Sequence, residues 1–301
     1  MGRVSEKRVQ IEPPVDRYGR KITHLRVSVT ERCNLNCPYC HREGLSGSAG
    51  SEGSFEVFRK ILYAASRIGI SESVKFTGGE PLLRTDLELI ISAAKESGFS
   101  DISLTTNGTL LDDRRSVSLK SAGLSRVNIG CDALSSSIVP KTYERIKSAL
   151  DAASSAHLSP IKINMVLLKG INENDVHKML DIARFYSATL QLIELIETED
   201  KQFFKNYFVS LERLEKEMRE SAVLREVRSL QGRAVYHLGN GATVEFVRSA
   251  HNPHFCANCR KLRITPDGRI KTCLLRNDDT IEFTDEASFL KALSIRRPYY
   301  G

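Results

Sequence analysis

From residue 55 the apolar positions switch between two periods. Val57, Phe58, Ile61, Leu62, Ala65 and Ile68 recur at three- and four-residue spacing, as one helical face does, and SVKFT (73–77) then reads as a short strand ending at Gly78-Gly79. The alternation repeats. A helix around Leu87 to Ala94 leads to strand Ile102 to Thr106, which stops at Asn107-Gly108, and a helix over Ser116 to Ala122 leads to strand Arg126 to Cys131. A helix over about 141–156 leads to strand Ile161 to Leu168, closed by Lys169-Gly170, and a helix over 173–186 leads to strand Leu190 to Ile196. A β-branched run, Ile22 to Val29, precedes them all. Six strands alternating with helices predict parallel β/α units, because each right-handed crossover returns the chain to the same end of the sheet. The class is α/β, and six units, two short of a closed barrel, predict a partial (β/α)6 TIM-like barrel with its chemistry near the C-terminal strand ends. An open doubly wound sheet is the alternative from this pattern alone.

The flanks obey other patterns. Residues 1–20, polar and holding Pro13 and Pro14, read as an arm of little regular structure, and 45–54 as a Gly/Ser-rich flexible connection. Past residue 200 a charged amphipathic helix (about 209–220) precedes strand-like stretches at 223–229, 233–238 and 242–248 and a strand pair around the Pro266-Asp267-Gly268 turn. The expected organisation is an arm (1–20), a barrel (21–200) and a smaller α+β extension (201–301).

Composition changes this picture little. A net charge of +7 and a pI near 9.0 suit an anionic ligand, but charges of this size often do no more than keep a protein soluble, so no nucleic acid partner is expected. No positive-then-apolar segment opens the sequence and no apolar run is long enough to cross a bilayer; no membrane role and a cytoplasmic setting are expected.

The seven cysteines change it a great deal. Without a secretion signal they point to metal or catalysis over disulfides. Cys131 stands alone after an apolar run and is most simply a small buried hydrophobe. The other six form two triplets, Cys33/Cys37/Cys40 at Cx3Cx2C spacing and Cys256/Cys259/Cys273 at Cx2Cx13C. Three thiolates cannot fill the four protein positions of a closed zinc or cubane site, which leaves one metal position open to a ligand. Zinc remains an alternative at each triplet, completed by His41 at the first and by His251 or His254 at the second. Gly78-Gly79-Glu80-Pro81, on its own, is a tight strand-to-helix turn.

Cx3Cx2C with Tyr39 before its last cysteine resembles the signature of the radical S-adenosylmethionine (SAM) superfamily, and the Gly-Gly motif after the second strand strengthens the likeness. FCANCRKLRITPDGRIKTCLL, with LRVSVTERCNLNCPYCH, KFTGGEPLLR, LTTNGTLL, IKINMVLLKGIN and LIELIE, is similar to the GTP 3′,8-cyclase family, its archaeal members in particular. That resemblance implies two [4Fe-4S] clusters, one on Cys33, Cys37 and Cys40 and one on Cys256, Cys259 and Cys273, with SAM as cofactor and GTP as substrate. It implies SAM contacts from Tyr39, Gly78, Gly79, Glu80, Gly130 and Ile196, and GTP contacts from Arg26, Lys75, Thr105, Lys162, Lys261 and Arg263. It further implies that a 5′-deoxyadenosyl radical takes hydrogen from C3′ of GTP, that C3′ closes onto C8, and that reduction yields 3′,8-cyclo-7,8-dihydro-GTP, the first step of molybdenum cofactor biosynthesis. A reductant, a synthase making cyclic pyranopterin monophosphate from the product, and a possible homodimer complete the expected partners. The chain departs from the family in places: Gly130 stands where bacterial members have serine, Ile196 replaces a methionine, Lys261 replaces an arginine, and the tail RRPYYG ends on the single Gly301 where a twin glycine is common. Two alternatives stay open, another radical SAM enzyme with a C-terminal cluster, such as a peptide maturase, and a non-catalytic iron-sulfur or zinc protein that binds RNA.

Overall fold

The structure is a computed structural model that describes residues 11–45, 51–198 and 200–300. The first half of the arm, residues 46–50 of the Gly/Ser-rich connection and the terminal Gly301 lie outside the described residues.

The strands β1 (His24–Ser28), β2 (Ser73–Thr77), β3 (Asp101–Thr106), β4 (Arg126–Gly130), β5 (Lys162–Leu167) and β6 (Thr189–Glu194) lie side by side in chain order, each parallel to the next. The helices α1 (Phe55–Arg67), α2 (Leu87–Ser97), α3 (Asp113–Ala122), α4 (Tyr143–Ser155) and α5 (Val176–Phe185) make the crossovers. Their stops are written in glycine where the chain turns left-handed, at Gly98 (φ 93°) after α2 and Gly123 (φ 117°) after α3. Leu25, Val27, Val74, Phe76, Leu104, Val127, Ile163 and Leu190 alternate along the strands and are buried in one continuous apolar core. This is the partial α/β barrel that the alternation predicts.

The C-terminal third continues the same sheet. It contributes α6 (Lys201–Tyr207), α7 (Glu212–Glu220), β7 (Ala222–Val227), β8 (Ala234–Leu238), β9 (Thr243–Val247), α8 (Pro253–Ala257), β10 (Lys261–Ile264), β11 (Ile270–Lys271), β12 (Thr280–Ile281) and α9 (Glu286–Ile295). β9 pairs parallel with β6 at one edge and β10 parallel with β1 at the other, so twelve strands run in the order β12-β11-β10-β1-β2-β3-β4-β5-β6-β9-β8-β7. The extension therefore borders the barrel on both sides. Eight neighbouring strands, from β10 to β9, are parallel, and four antiparallel strands flank them.

Candidate active site

The strand faces turned away from the helices are polar. His24, Arg26, Ser73, Lys75, Thr77, Thr105, Arg126, Asn128, Gly130, Lys162, Asn164, Lys261 and Arg263 line a cavity of about 760 Å³, within the range of small-molecule sites. Their period of two follows from the pleat, which sends alternate side chains to opposite faces. Register then sets rows across the sheet: Arg263, Arg26 and Lys75 stand opposite one another on β10, β1 and β2, and Asn128 faces Lys162 on β4 and β5. Gly78, Gly79 and Gly130 do lie at C-terminal strand ends, but Lys162 opens β5 and Lys261 opens β10. That corrects the expected confinement to strand ends. In an incomplete barrel the inner face need not be packed solid, and the cavity runs along the strands.

At one end sit Cys33, Cys37 and Cys40, all free thiols lining the cavity together with Gly78, Gly79, Gly130 and Ile196. A side chain at Gly78 or Gly79 would run into the Thr30, Glu31 and Arg32 backbone, and the Gly79 and Glu80 amides donate to the Thr30 and Arg32 carbonyls (2.8 and 2.7 Å). The Gly-Gly stretch thus fixes the cysteine loop by close backbone approach. Tyr39 and Glu80 are buried and do not line the cavity. The Tyr39 hydroxyl donates to Asp132 Oδ2 (2.6 Å), while the Glu80 carboxylate accepts from the Leu82 amide (3.0 Å), the Thr106 hydroxyl (2.6 Å) and the Asn107 amide (2.7 Å). Asn107, a residue the sequence did not single out, also donates to Asn34 Oδ1 (2.8 Å) and so ties this turn to the cysteine loop.

Cys256, Cys259 and Cys273, also free, line the same cavity. Among the described residues no group of three His, Cys, Asp or Glu side chains is gathered as a single-ion site. Each triplet offers the cavity three free thiols, and three thiolates on a cubane would leave one iron open to a ligand. The histidines weighed as zinc ligands have other contacts: His41 Nδ1 accepts from the Glu43 amide (3.1 Å), and the His251 ring packs on Tyr300 at 5.2 Å.

Charge between the two triplets is unbalanced. Glu43 pairs with Arg26 (Nε to Oε2 2.7 Å) and with Arg263 (2.8 Å); burial alone would raise its carboxyl, but the two guanidinium groups hold it far below the usual range. Lys162 pairs with the fully buried Glu245, which Arg233 also meets at 2.9 Å; burial and Arg233 still bring Lys162 down to about 8. Lys75 and Lys261 differ. Their ammonium groups donate to amide oxygens, Asn128 Oδ1 (3.0 Å) and Gln231 Oε1 (3.2 Å), and among the described residues neither forms an ion pair. Burial first, then surrounding arginines, pushes both well below an ordinary lysine. The buried hydroxyl of Thr105, which stands opposite Asn128 on β4, has no hydrogen-bond partner among the described residues. Arg126, Arg228 and Arg233 join this basic wall and were missed in the sequence, where a single arginine on a strand or loop carries no distinguishing pattern.

The described part of the arm has little regular structure, as expected, only an isolated bridge at Val15 and a turn, yet it is packed against the rest of the chain. Asp16 is buried between Arg20 (2.7 Å) and Arg296, and these arginines donate to the Cys256 carbonyl (3.0 Å) and the Cys259 carbonyl (2.9 Å). Pro298, Tyr299 and Tyr300 of the tail line the cavity.

An open (β/α)6 sheet with a cysteine loop after β1 and a Gly-Gly turn after β2 defines a radical SAM protein. Residues 27–183 match the Radical SAM superfamily and residues 188–288 match Molybdenum Cofactor Synthesis C. The chain is 40% identical to the probable GTP 3′,8-cyclase of Methanothermobacter thermautotrophicus over 95% of its own length and 98% of that protein, and 42% identical to that of Pyrococcus abyssi over 95% and 99%. It belongs to the GTP 3′,8-cyclase family. Streptococcus suis SuiB bound to precursor peptide SuiA shares the fold (TM-score 0.69, 17% identity, 93% of this chain and 66% of that one), as does anSMEcpe with bound AdoMet (TM-score 0.63, 18%, 90% and 79%). No helix among the described residues is long and apolar enough to cross a membrane.

Proposed function

We propose that this protein converts GTP to 3′,8-cyclo-7,8-dihydro-GTP, the first step of molybdenum cofactor biosynthesis. The observation that supports it best is the pair of half-buried lysines, Lys75 and Lys261, which among the described residues form no ion pair, in a cavity shared by two cysteine triplets. A triphosphate needs several cations to replace its water, and these are the cations without an anion of their own.

Cys33, Cys37 and Cys40 would hold the first [4Fe-4S] cluster, with SAM seated against Gly78, Gly79, Gly130 and Ile196; Tyr39 and Glu80 act from behind that wall. When bound, this cluster and SAM supply the carbon-centred radical chemistry that no protein acid or base can supply at ribose C3′. Arg26, Lys75, Thr105, Lys162 and Arg263 hold the phosphates and sugar, so that one C–H bond faces the reaction centre. Cys256, Cys259 and Cys273 would hold a second [4Fe-4S] cluster and leave one iron open to guanine, with Lys261 reaching from beside that cluster toward the phosphates. On this reading the barrel to residue 200 carries radical generation and most of the phosphate and sugar contacts, and the rest carries recognition of the base. A one-electron reductant and a synthase consuming the cyclised nucleotide are the partners it requires; the setting is the cytoplasm, and a homodimer is compatible with the chemistry proposed.

The test is an anaerobic assay of reconstituted protein with dithionite, SAM and GTP, read by liquid chromatography with mass spectrometry because product and substrate have equal mass. Joint appearance of 5′-deoxyadenosine and a cyclised GTP isomer is expected. Deoxyadenosine without the isomer would reject GTP as substrate. Alanine at Cys256, Cys259 or Cys273 is expected to abolish cyclisation and spare uncoupled SAM cleavage; parallel loss of both would reject a separate substrate role for the second triplet.

A further inference from the structure

Lys141, which precedes α4, enters the cavity through a gap that Gly130 leaves. A Cβ built on Gly130 would stand 2.9 Å from Lys141 Cδ and 3.3 Å from its Nζ, so the bare backbone at the end of β4 is what admits the lysine stem. The ammonium lies 2.8 Å from Asp132 Oδ2 and 5.1 Å above the Tyr39 ring. Asp132 has little left to offer a ligand: Oδ2 also accepts the Tyr39 hydroxyl (2.6 Å) and Oδ1 accepts the Val166 amide (2.7 Å). An ammonium has three donors, and this one faces a cavity. The ring it sits over belongs to the residue just before Cys40, and the Tyr39 hydroxyl shares Asp132 with it, which sets the ammonium beside the first triplet. Lys75, by contrast, feels Arg126, Arg26, Lys162 and Lys261, cations of the basic wall between the triplets.

We propose that Lys141 reads the α-carboxylate of SAM, with Gly130 kept small to let it through and Asp132 and Tyr39 holding it in place. The inference rests on the radical SAM reading of the first triplet. A compact cation beside the cysteine loop, braced from one side by Asp132 and from below by an aromatic face, is suited to a carboxylate that must sit in one orientation. Lys141 is not itself in the chemistry; it selects and orients the cofactor.

SAM and decarboxylated SAM, which lacks only the carboxylate, are the probes. Affinities of both are measured by equilibrium dialysis on anaerobically reconstituted, unreduced protein, where SAM binds without being cleaved, in wild type, Lys141→Met and Lys141→Arg. Iron ligation by the carboxylate is lost with decarboxylated SAM in every protein alike, so the change in the ratio of the two affinities isolates the lysine. Lys141→Met, which keeps the stem and removes the charge, is expected to weaken SAM roughly ten- to hundredfold and to leave decarboxylated SAM within about twofold. Lys141→Arg should restore part of the discrimination. Equal weakening of both ligands would reduce Lys141 to a structural partner of Asp132 and overturn the proposal, as would an unchanged preference for SAM. Gly130→Ala, whose added methyl presses on the lysine stem, is the second route should Lys141→Met not fold: it is expected to lower the preference for SAM, and an unaltered preference would count against the assignment. Iron content of each protein, with 5′-deoxyadenosine release from wild type after reduction, reports separately on the radical SAM reading.

Discussion

Glu43 joins the two cysteine loops through one carboxylate. It follows Cys40 by three residues, pairs with Arg26 on β1 and Arg263 on β10, and accepts from the Thr77 hydroxyl (3.1 Å). Its backbone is left-handed (φ 53°), as is that of Arg42 (φ 44°), a conformation that costs about 1 kcal/mol or more per non-glycine residue and persists where contacts hold it. Glu43→Gln leaves both arginines buried without their charge partner and is expected to cost about 3 kcal/mol, measured by anaerobic chemical denaturation at pH 7. The sign with pH follows. A carboxyl held below its ordinary value stabilises the fold fully above about pH 4.5 and loses that contribution as pH falls, so wild type should lose its advantage over Glu43→Gln on acidification. A variant as stable as wild type at pH 7 would show that the arginines need no anion. The lysines behave oppositely. A triphosphate favours the charged form of Lys75 and Lys261 that burial and the neighbouring arginines oppose, so GTP affinity should fall as pH rises and any proton exchanged on binding should be taken up, which titration calorimetry in buffers of different ionisation enthalpy measures directly. Proton release on binding would reject these lysines as its counter-ions.

Elements were legible where they were long and periodic. The six strands, the five helices between them and the strand-like stretches that became β7, β8 and β9 were all there in the apolar pattern, because each buries one face against the same core. The edge pairings of β9 and β10 were not, since a four- or five-residue strand carries no mark of its neighbour. Site residues divided in the same way. The cysteines and glycines announced themselves by spacing, whereas Asp16, Glu43 and Lys141 depend on contacts across long stretches of chain. Short helices were missed too: α6 has seven residues, KQFFKNY, too few to display a period. Yet α6 is well placed. Phe203, Phe204 and Tyr207 pack with Cys37 in the apolar group that includes Tyr39, the Phe203 and Tyr39 ring centroids being 6.4 Å apart. This element covers the apolar side of the first triplet. Phe203→Ala is expected to cost about 2 kcal/mol, since its ring is only partly buried, and to speed loss of visible cluster absorbance in air. Bleaching at the wild-type rate would show that α6 shields nothing.

The molecule as a whole is closed by its two ends. Asp16 and Arg296 meet across 280 positions of sequence, and with Arg20 they grip the carbonyls of two of the three cysteines in the second triplet. Burial would raise the Cys259 thiol, but Arg296 and Lys261 outweigh it and favour the thiolate a cluster needs. The tail follows directly, and Tyr299 and Tyr300 line the cavity that the barrel opens. Arm, extension and tail therefore complete a site whose other half stands on β1 to β6. This coupling predicts an effect that is local in chemistry and distant in sequence. Asp16→Ala leaves two buried guanidinium groups facing each other without an anion, at an expected cost of about 3–5 kcal/mol. Because their grip on the cysteine carbonyls loosens with it, iron after reconstitution should fall from roughly eight per chain toward four, with SAM-dependent deoxyadenosine formation kept and cyclisation lost. Asp16→Asn, which retains the shape and some hydrogen bonding, should lie between the two. If Asp16→Ala lowered stability but kept all its iron and its cyclisation, the two ends would be a clasp for the fold alone, and the second triplet would hold its group without them.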